Sequence, residues 1–148
     1  MKVRRVLPCL LCICAVVCGC REDAPHTDSV MCSVNPYGWL EPRELSFDNT
    51  DSLAEVDMML AVRLNAEAGI DRLPLVIEFT APDSTRFVEN RTFPVAIPGK
   101  RSAASPVVTI PYRRAVRFGQ CGRYRVVIKP SETLHGIEAV GLTFQKTE

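Results

Sequence analysis

The stretch Ala54 to Ala66, "AEVDMMLAVRLNA", decides the fold. Val56, Met58, Leu60, Val62 and Leu64 fall on one parity, and Asp57, Met59, Ala61 and Arg63 on the other. A helix turns about 100° per residue and would scatter those five apolar side chains around its circumference, whereas a strand gathers them on one face. The segment reads as a half-buried β-strand.

Working outward, "RLPLVIEFTAP" (residues 72–82) places Leu75, Ile77 and Phe79 on one face, and Pro82-Asp83-Ser84 then reads as a turn. "TRFVENRTFPVAIPG" (85–99) stays extended but carries Pro94, which cannot donate to a ladder and so favours a sheet edge or a bulge. "SPVVTIPYRRAVRFG" (105–119) predicts one or two strands interrupted at Pro111. Two more follow, "GRYRVVIKP" (122–130) and "GIEAVGLTFQK" (136–146), separated by a loop in which Ser131 is placed to cap a single helical turn that Gly136 ends. Towards the N-terminus, "SVMCSV" (29–34) alternates again. The pattern predicts an all-β, antiparallel two-sheet sandwich of about seven or eight strands, preceded by an N-terminal signal helix.

That leader is legible from charge. Lys2, Arg4 and Arg5 precede an apolar run, Val6 to Val17, too short to span a bilayer, which takes about 20 apolar residues. Val17-Cys18-Gly19-Cys20 has the layout of a lipobox, with Cys20 as the lipid-bearing residue; the alternative is an ordinary cleaved signal with an incidental cysteine. Acyl chains contribute about 0.8 kcal/mol per buried methylene, so two or more hold a domain on a membrane where one does not. The expected organisation is a signal peptide over 1–19, a tether over 20–28 and a sandwich domain over 29–148.

Composition narrows the function classes. The 148 residues carry 18 basic and 17 acidic side chains, and loss of the leader leaves 15 against 17, which excludes the basic excess of nucleic-acid binders. Four of the seven cysteines, Cys9, Cys12, Cys14 and Cys18, lie in the leader. Cys32 and Cys121 remain, either as a disulfide worth on the order of 4 kcal/mol by loop closure or as free thiols. His26 and His135 have no zinc spacing, and no metal or cofactor is expected.

Little here suggests catalysis. His135, in "ETLHGIE", is the one histidine inside the predicted domain, and a pairing with Cys121 has no support in the sequence. The acidic residues Glu44, Asp48, Asp51, Glu55 and Asp57 fit a solvated turn and strand exit better than a two-carboxylate cleft. No catalytic residue is assigned, and the chain is expected not to be an enzyme. Arg113, Arg114 and Arg117 could meet an anionic partner such as lipid headgroups or a charged glycan, or form a solvated strand face. Tyr37 and Trp39 could form a sugar-stacking platform, unless the tryptophan fills the core.

Trp39, the "LSF" of Leu45 to Phe47, the "VRLN" ending at Asn65, "IPYRRAVRF" and "GRYRVVIKPSETLHGIEAVGLTFQK" together resemble the GldH-type gliding-motility lipoproteins of Bacteroidetes. Gly122-x-Tyr124 followed by the Leu134 to Leu142 segment is the most specific part, while Asn65 to Gly99 lies outside the likeness. The resemblance implies an outer-membrane lipoprotein, in the periplasmic or the cell-surface leaflet, attached to an envelope machine shared by gliding and secretion. Membrane lipid, through acylated Cys20, and envelope proteins are then the expected partners. Arg21-Glu22-Asp23 is similar to the basic-then-acidic export tripeptide of some Bacteroidetes surface lipoproteins, or is a solvated tether. A surface glycan-binding lipoprotein module is the alternative function.

Overall fold

The computed structural model describes residues 27–97 and 105–147, so the signal helix, Cys20, the Arg21-Glu22-Asp23 tripeptide and His26 lie outside the described residues. Eight strands are present: β1 (Thr27–Ser33), β2 (Arg43–Asn49), β3 (Glu55–Leu64), β4 (Arg72–Thr80), β5 (Arg86–Pro94), β6 (Val107–Arg117), β7 (Gly122–Pro130) and β8 (Ile137–Lys146). They form two four-stranded antiparallel sheets, ordered β1-β8-β3-β6 and β2-β7-β4-β5. The expected two-sheet sandwich is the observed fold.

The pairing has a simple rule. β1 pairs with β8, β2 with β7, β3 with β6 and β4 with β5, so the chain is one long antiparallel hairpin whose tip is the β4–β5 turn. Folding that hairpin over itself puts consecutive strands on alternate sheets everywhere except at the tip, which is the jelly-roll topology. At the tip, Pro82-Asp83-Ser84 forms the predicted turn: the Ser84 amide donates to the Ala81 carbonyl at 2.9 Å, and Ser84 takes a φ of 71°. That is the type I turn plus left-handed residue of a three-residue hairpin loop.

Period-two alternation explains the core. Leu60, Val62 and Leu64 of β3 face Val126 and Ile128 of β7 and Leu75 and Ile77 of β4 across one shared apolar interior, each nearly or fully buried. Trp39 is fully buried between the strands rather than presented to solvent. Its Nε1–H donates to the Glu41 carbonyl at 2.7 Å, and its backbone exchanges two hydrogen bonds with Leu134, at 2.8 and 3.0 Å. That bridge draws Leu134 into an extended conformation, so no helical turn forms at Ser131. Gly141 of β8 is needed for close approach, since a Cβ there would overlap the Val30 carbonyl and Met31.

Three further expectations are refined. β1 starts at Thr27 and therefore takes in the last two positions assigned to the tether. β6 runs unbroken through Pro111, which an edge strand tolerates because one row of its backbone groups needs no partner. Glu44 and Asp48 belong to a strand, β2, not to a turn.

The two outer faces differ in character. On the β2-β7-β4-β5 sheet, Arg123 donates two hydrogen bonds to Asp48 (3.0 Å each), Arg125 two to Glu44 (2.9 and 2.6 Å), and Arg86 lies 3.6 Å from Glu78. The Arg125 and Arg123 guanidiniums hold the Glu44 and Asp48 carboxyls below the usual range. Beyond Asp57, Gln145 and the Glu55–Arg117 pair at one end, the outer face of the other sheet reads, in register, Ser29, Thr143, Met59 and Pro111; Met31, Gly141, Ala61 and Thr109; Ser33, Ala139, Arg63 and Val107. Arg63 is the single charge among those twelve positions.

Candidate functional site

Edge strands β5 and β6 lie on the same open side of the sandwich, one from each sheet, and a cleft of about 690 Å³ opens between them. Its lining includes Tyr112, Arg113, Arg114, Ala115 and Val116, five consecutive residues of one strand. A regular strand cannot do this, because neighbouring side chains leave on opposite faces. β6 manages it by irregular pairing: Val56 opposes Val116, Met58 opposes Arg113 and Met59 opposes Pro111, so β6 gains an extra residue at each of two steps. Such bulges bend a strand and re-aim its side chains. At the first, Ala115 adopts a φ of 50°, a left-handed conformation that costs a residue with a Cβ about 1 kcal/mol. Its amide donates to Asp57 Oδ1 at 2.9 Å.

Across the cleft, β5 presents Phe87, Glu89 and Arg91 on the parity that carries buried Phe93 further along the strand. The Tyr112 hydroxyl donates to Glu89 Oε2 at 2.8 Å, and Arg113 donates to the same oxygen at 3.0 Å. Arg91 donates to the Tyr112 carbonyl at 3.0 Å and lies over the Phe93 and Tyr112 rings, 5.3 and 5.6 Å from their centroids. Arg113 lies 5.3 Å over the exposed Phe87 ring. These contacts tie β5 to β6 and blunt both edges with inward charge.

The electrostatics follow the contacts. Burial raises the Glu89 carboxyl, but Tyr112 and Arg113 outweigh it and leave Glu89 below the usual range. Burial first, and the bond to Glu89 second, push the Tyr112 hydroxyl up to about 12. For Arg113, burial opposes the charge and Glu89 more than restores it, so its guanidinium is held still more firmly protonated. Arg114 differs: it lines the cleft, is exposed, and has no hydrogen bond or ion pair among the described residues.

Of the basic residues singled out in the sequence, Arg113 and Arg114 reach this cleft, while Arg117 pairs with Glu55 at 2.9 Å. The Tyr37 and Trp39 platform is not formed, because Trp39 is buried and only Tyr37 is exposed. Cys32 and Cys121 are both free thiols. Cys32 pairs with Val140, six residues along β8 from Lys146, whereas Cys121 follows β6 beyond Arg117, at the end of the sandwich where Val56 meets Lys146. At about 3.3 Å per residue that is roughly 20 Å, against the roughly 7 Å between Cα atoms that a disulfide tolerates. The disulfide between them is therefore absent, for want of proximity.

His135 sits at the opposite end from Cys121, exposed, its Nδ1 2.8 Å from the Tyr37 carbonyl. Among the described residues no group of three or more His, Cys, Asp or Glu is arranged to hold a metal ion, and no helix is long and apolar enough to cross a membrane. In the sequence Phe79 is legible as a strand-face residue but not as part of a site, and Phe87, Glu89, Arg91 and Tyr112 carry no signal; the one available was Arg113-Arg114, two adjacent charges in one strand.

Fold and cleft define the class as a two-sheet jelly-roll domain with a bulged, arginine-lined edge. No family model matches the chain, and no curated protein matches it.

Proposed function

We propose that this chain is a lipid-anchored protein of the outer membrane, acylated at Cys20, and that it serves an envelope assembly as a non-catalytic component by contact with a protein partner. The leader, with its basic cap, short apolar run and Gly19-Cys20 junction, supports the anchor. The observation that carries the contact role is the asymmetry of the two outer faces: one is laced with ion pairs, whereas the other has a stretch of twelve positions that bears only Arg63, with Asp57 and the Glu55–Arg117 pair confined to one end. Charge depletion at the centre of a patch is the compositional mark of a protein interface. A glycan module loses its aromatic platform with the burial of Trp39. The resemblance to GldH-type lipoproteins makes the gliding and secretion machinery the first assembly to test.

A photocrosslinking residue placed at Thr109, on the uncharged face, should trap a neighbour in intact cells, and one at Ser46, on the ion-paired face, should not. Equal trapping at both positions, or none at either, refutes the contact role. Cys20→Ser should release the chain from the membrane fraction, and continued palmitate incorporation in that variant refutes the anchor.

A further inference from the structure

We infer that the cleft between β5 and β6 is a receptor for a single small amphiphilic carboxylate, its acyl or aryl body lying on Phe79, Val116 and Phe118 and its carboxylate held by Arg114. This goes beyond the contact role proposed above and uses a different surface.

The cleft holds one cation that its own contacts leave unexplained. Edge protection accounts for Glu89, Arg91 and Arg113, which bond one another or the β6 backbone. It does not account for Arg114, which sits in the bulged part of β6 between Arg113 and Ala115, is exposed, lines the cleft and pairs with nothing among the described residues. A guanidinium presents a planar fork of donors that matches a carboxylate in a two-bond geometry, and such charge-assisted pairs are the strong ones. Arg86, Arg91, Arg113 and Arg114 line the cleft, and the carboxylates beside them are Glu78 against Arg86 and Glu89 against Arg91 and Arg113, so two carboxylates meet four guanidiniums and the local balance favours an anion at Arg114.

The floor of the cleft is apolar. Phe79, Val116 and Phe118 line the same space as the arginines, so a ligand must satisfy an apolar surface and a cation together. That floor is already ordered: Phe118 packs against Tyr124 at 5.0 Å and Phe47 at 5.1 Å, and Phe79 against Tyr112 at 6.3 Å. Prior ordering lowers the entropy cost of binding. A volume near 690 Å³ lies within the roughly 300–1,000 Å³ of small-molecule sites. The lining comes from both sheets rather than along one edge strand, which suits a compact amphiphile better than an extended peptide.

The bulge that brings Arg114 to the cleft holds Ala115 in a left-handed conformation, and strain of this kind gathers at ligand sites.

Calorimetric titration of the purified chain with decanoate, decanol and decyltrimethylammonium, all below their micellar concentrations, tests the assignment. Decanoate should bind at least tenfold more tightly than either of the others. Arg114→Gln, at an exposed position, should weaken decanoate at least tenfold and leave decanol unchanged; Arg63→Gln, on the distant sheet face, should change neither. Amide shifts on binding should centre on residues 112–116. Equal affinity for decanoate and decanol overturns the proposal, as does an unaffected Arg114→Gln variant, shifts centred elsewhere, or binding only to anionic vesicles or to an acidic peptide. Each of those results leaves the Thr109 crosslinking outcome untouched, so the two readings fail separately.

Discussion

Asp57 of β3 and Ala115 of β6 are joined by one hydrogen bond, from the Ala115 amide to Asp57 Oδ1 at 2.9 Å, at the point where β6 departs from regular pairing. A residue with a Cβ does not hold a φ of 50° without surrounding structure to impose it, and this bond is the side-chain contact that does so directly. Asp57 therefore positions the cleft's five-residue lining although it lies on another strand.

Asp57→Ala is expected to cost about 1 kcal/mol, the net worth of one such bond, and to speed amide exchange at residues 113–116 more than elsewhere in β6. Asp57→Asn keeps an acceptor oxygen and should retain most of the protection. Unchanged exchange in the alanine variant would show that the bulge is held by something else.

Ser84 occupies, among the described residues, the other left-handed position of a residue other than glycine, at φ 71° in the β4–β5 turn. Glycine reaches that region without steric cost but loses more entropy on folding, and the balance favours glycine here by about 0.5–1 kcal/mol. Ser84→Gly should raise the melting temperature by roughly 2–4 °C, and Ser84→Val should lower it. A lower melting temperature for the glycine variant would contradict the turn geometry.

Tyr112 makes stability depend on alkaline pH. Its folded-state value, about 12, lies above the ordinary value for a tyrosine hydroxyl, near 10. Below about 10 both the folded and unfolded chains carry the proton, and the stabilising contribution is complete. As pH rises through 12 the folded hydroxyl also ionises and the contribution is lost. In urea titrations from pH 8 to 12, the stability advantage of wild type over Tyr112→Phe should hold steady to about pH 10 and then shrink. An advantage constant up to pH 12 would mean that Tyr112 ionises normally.

Local signals in the chain specify some of these features and long-range pairing specifies the rest. The parity of Val56 to Leu64 predicts the inner face of β3, and Pro82-Asp83-Ser84 predicts the tip of the long hairpin, because both signals are local. Pro94 predicts an edge, and β5 is one. The pairing of β1 with β8 or β2 with β7 is set between segments far apart in the chain, such as Thr27 with Gln145 and Asn49 with Gly122, and nothing in either segment names the other. β2 itself was obscured because its outward residues, Glu44 and Asp48, resemble a solvated turn until Arg125 and Arg123 are placed opposite them. Arg113-Arg114 is visible as an interruption in alternation, but that the interruption makes a cleft depends on Asp57 and on Glu89, each on a different strand.

The two thiols of the domain should react as separate classes. Cys32 is half-buried on the inner parity of β1, and burial pushes its thiol up against the opposing pull of Arg43. Since the thiolate is the nucleophile, both the raised value and the restricted access slow it. Cys121 is exposed in the β6–β7 connection. Iodoacetamide at pH 8, followed by peptide mass mapping, should alkylate Cys121 at least tenfold faster than Cys32, and urea should bring Cys32 up to the same rate. Cys121→Ser should abolish the fast phase and leave the slow one intact. A linked Cys32–Cys121 peptide from the unreduced native chain would require the two ends of the sandwich to meet, which the register of β1, β3, β6 and β8 forbids.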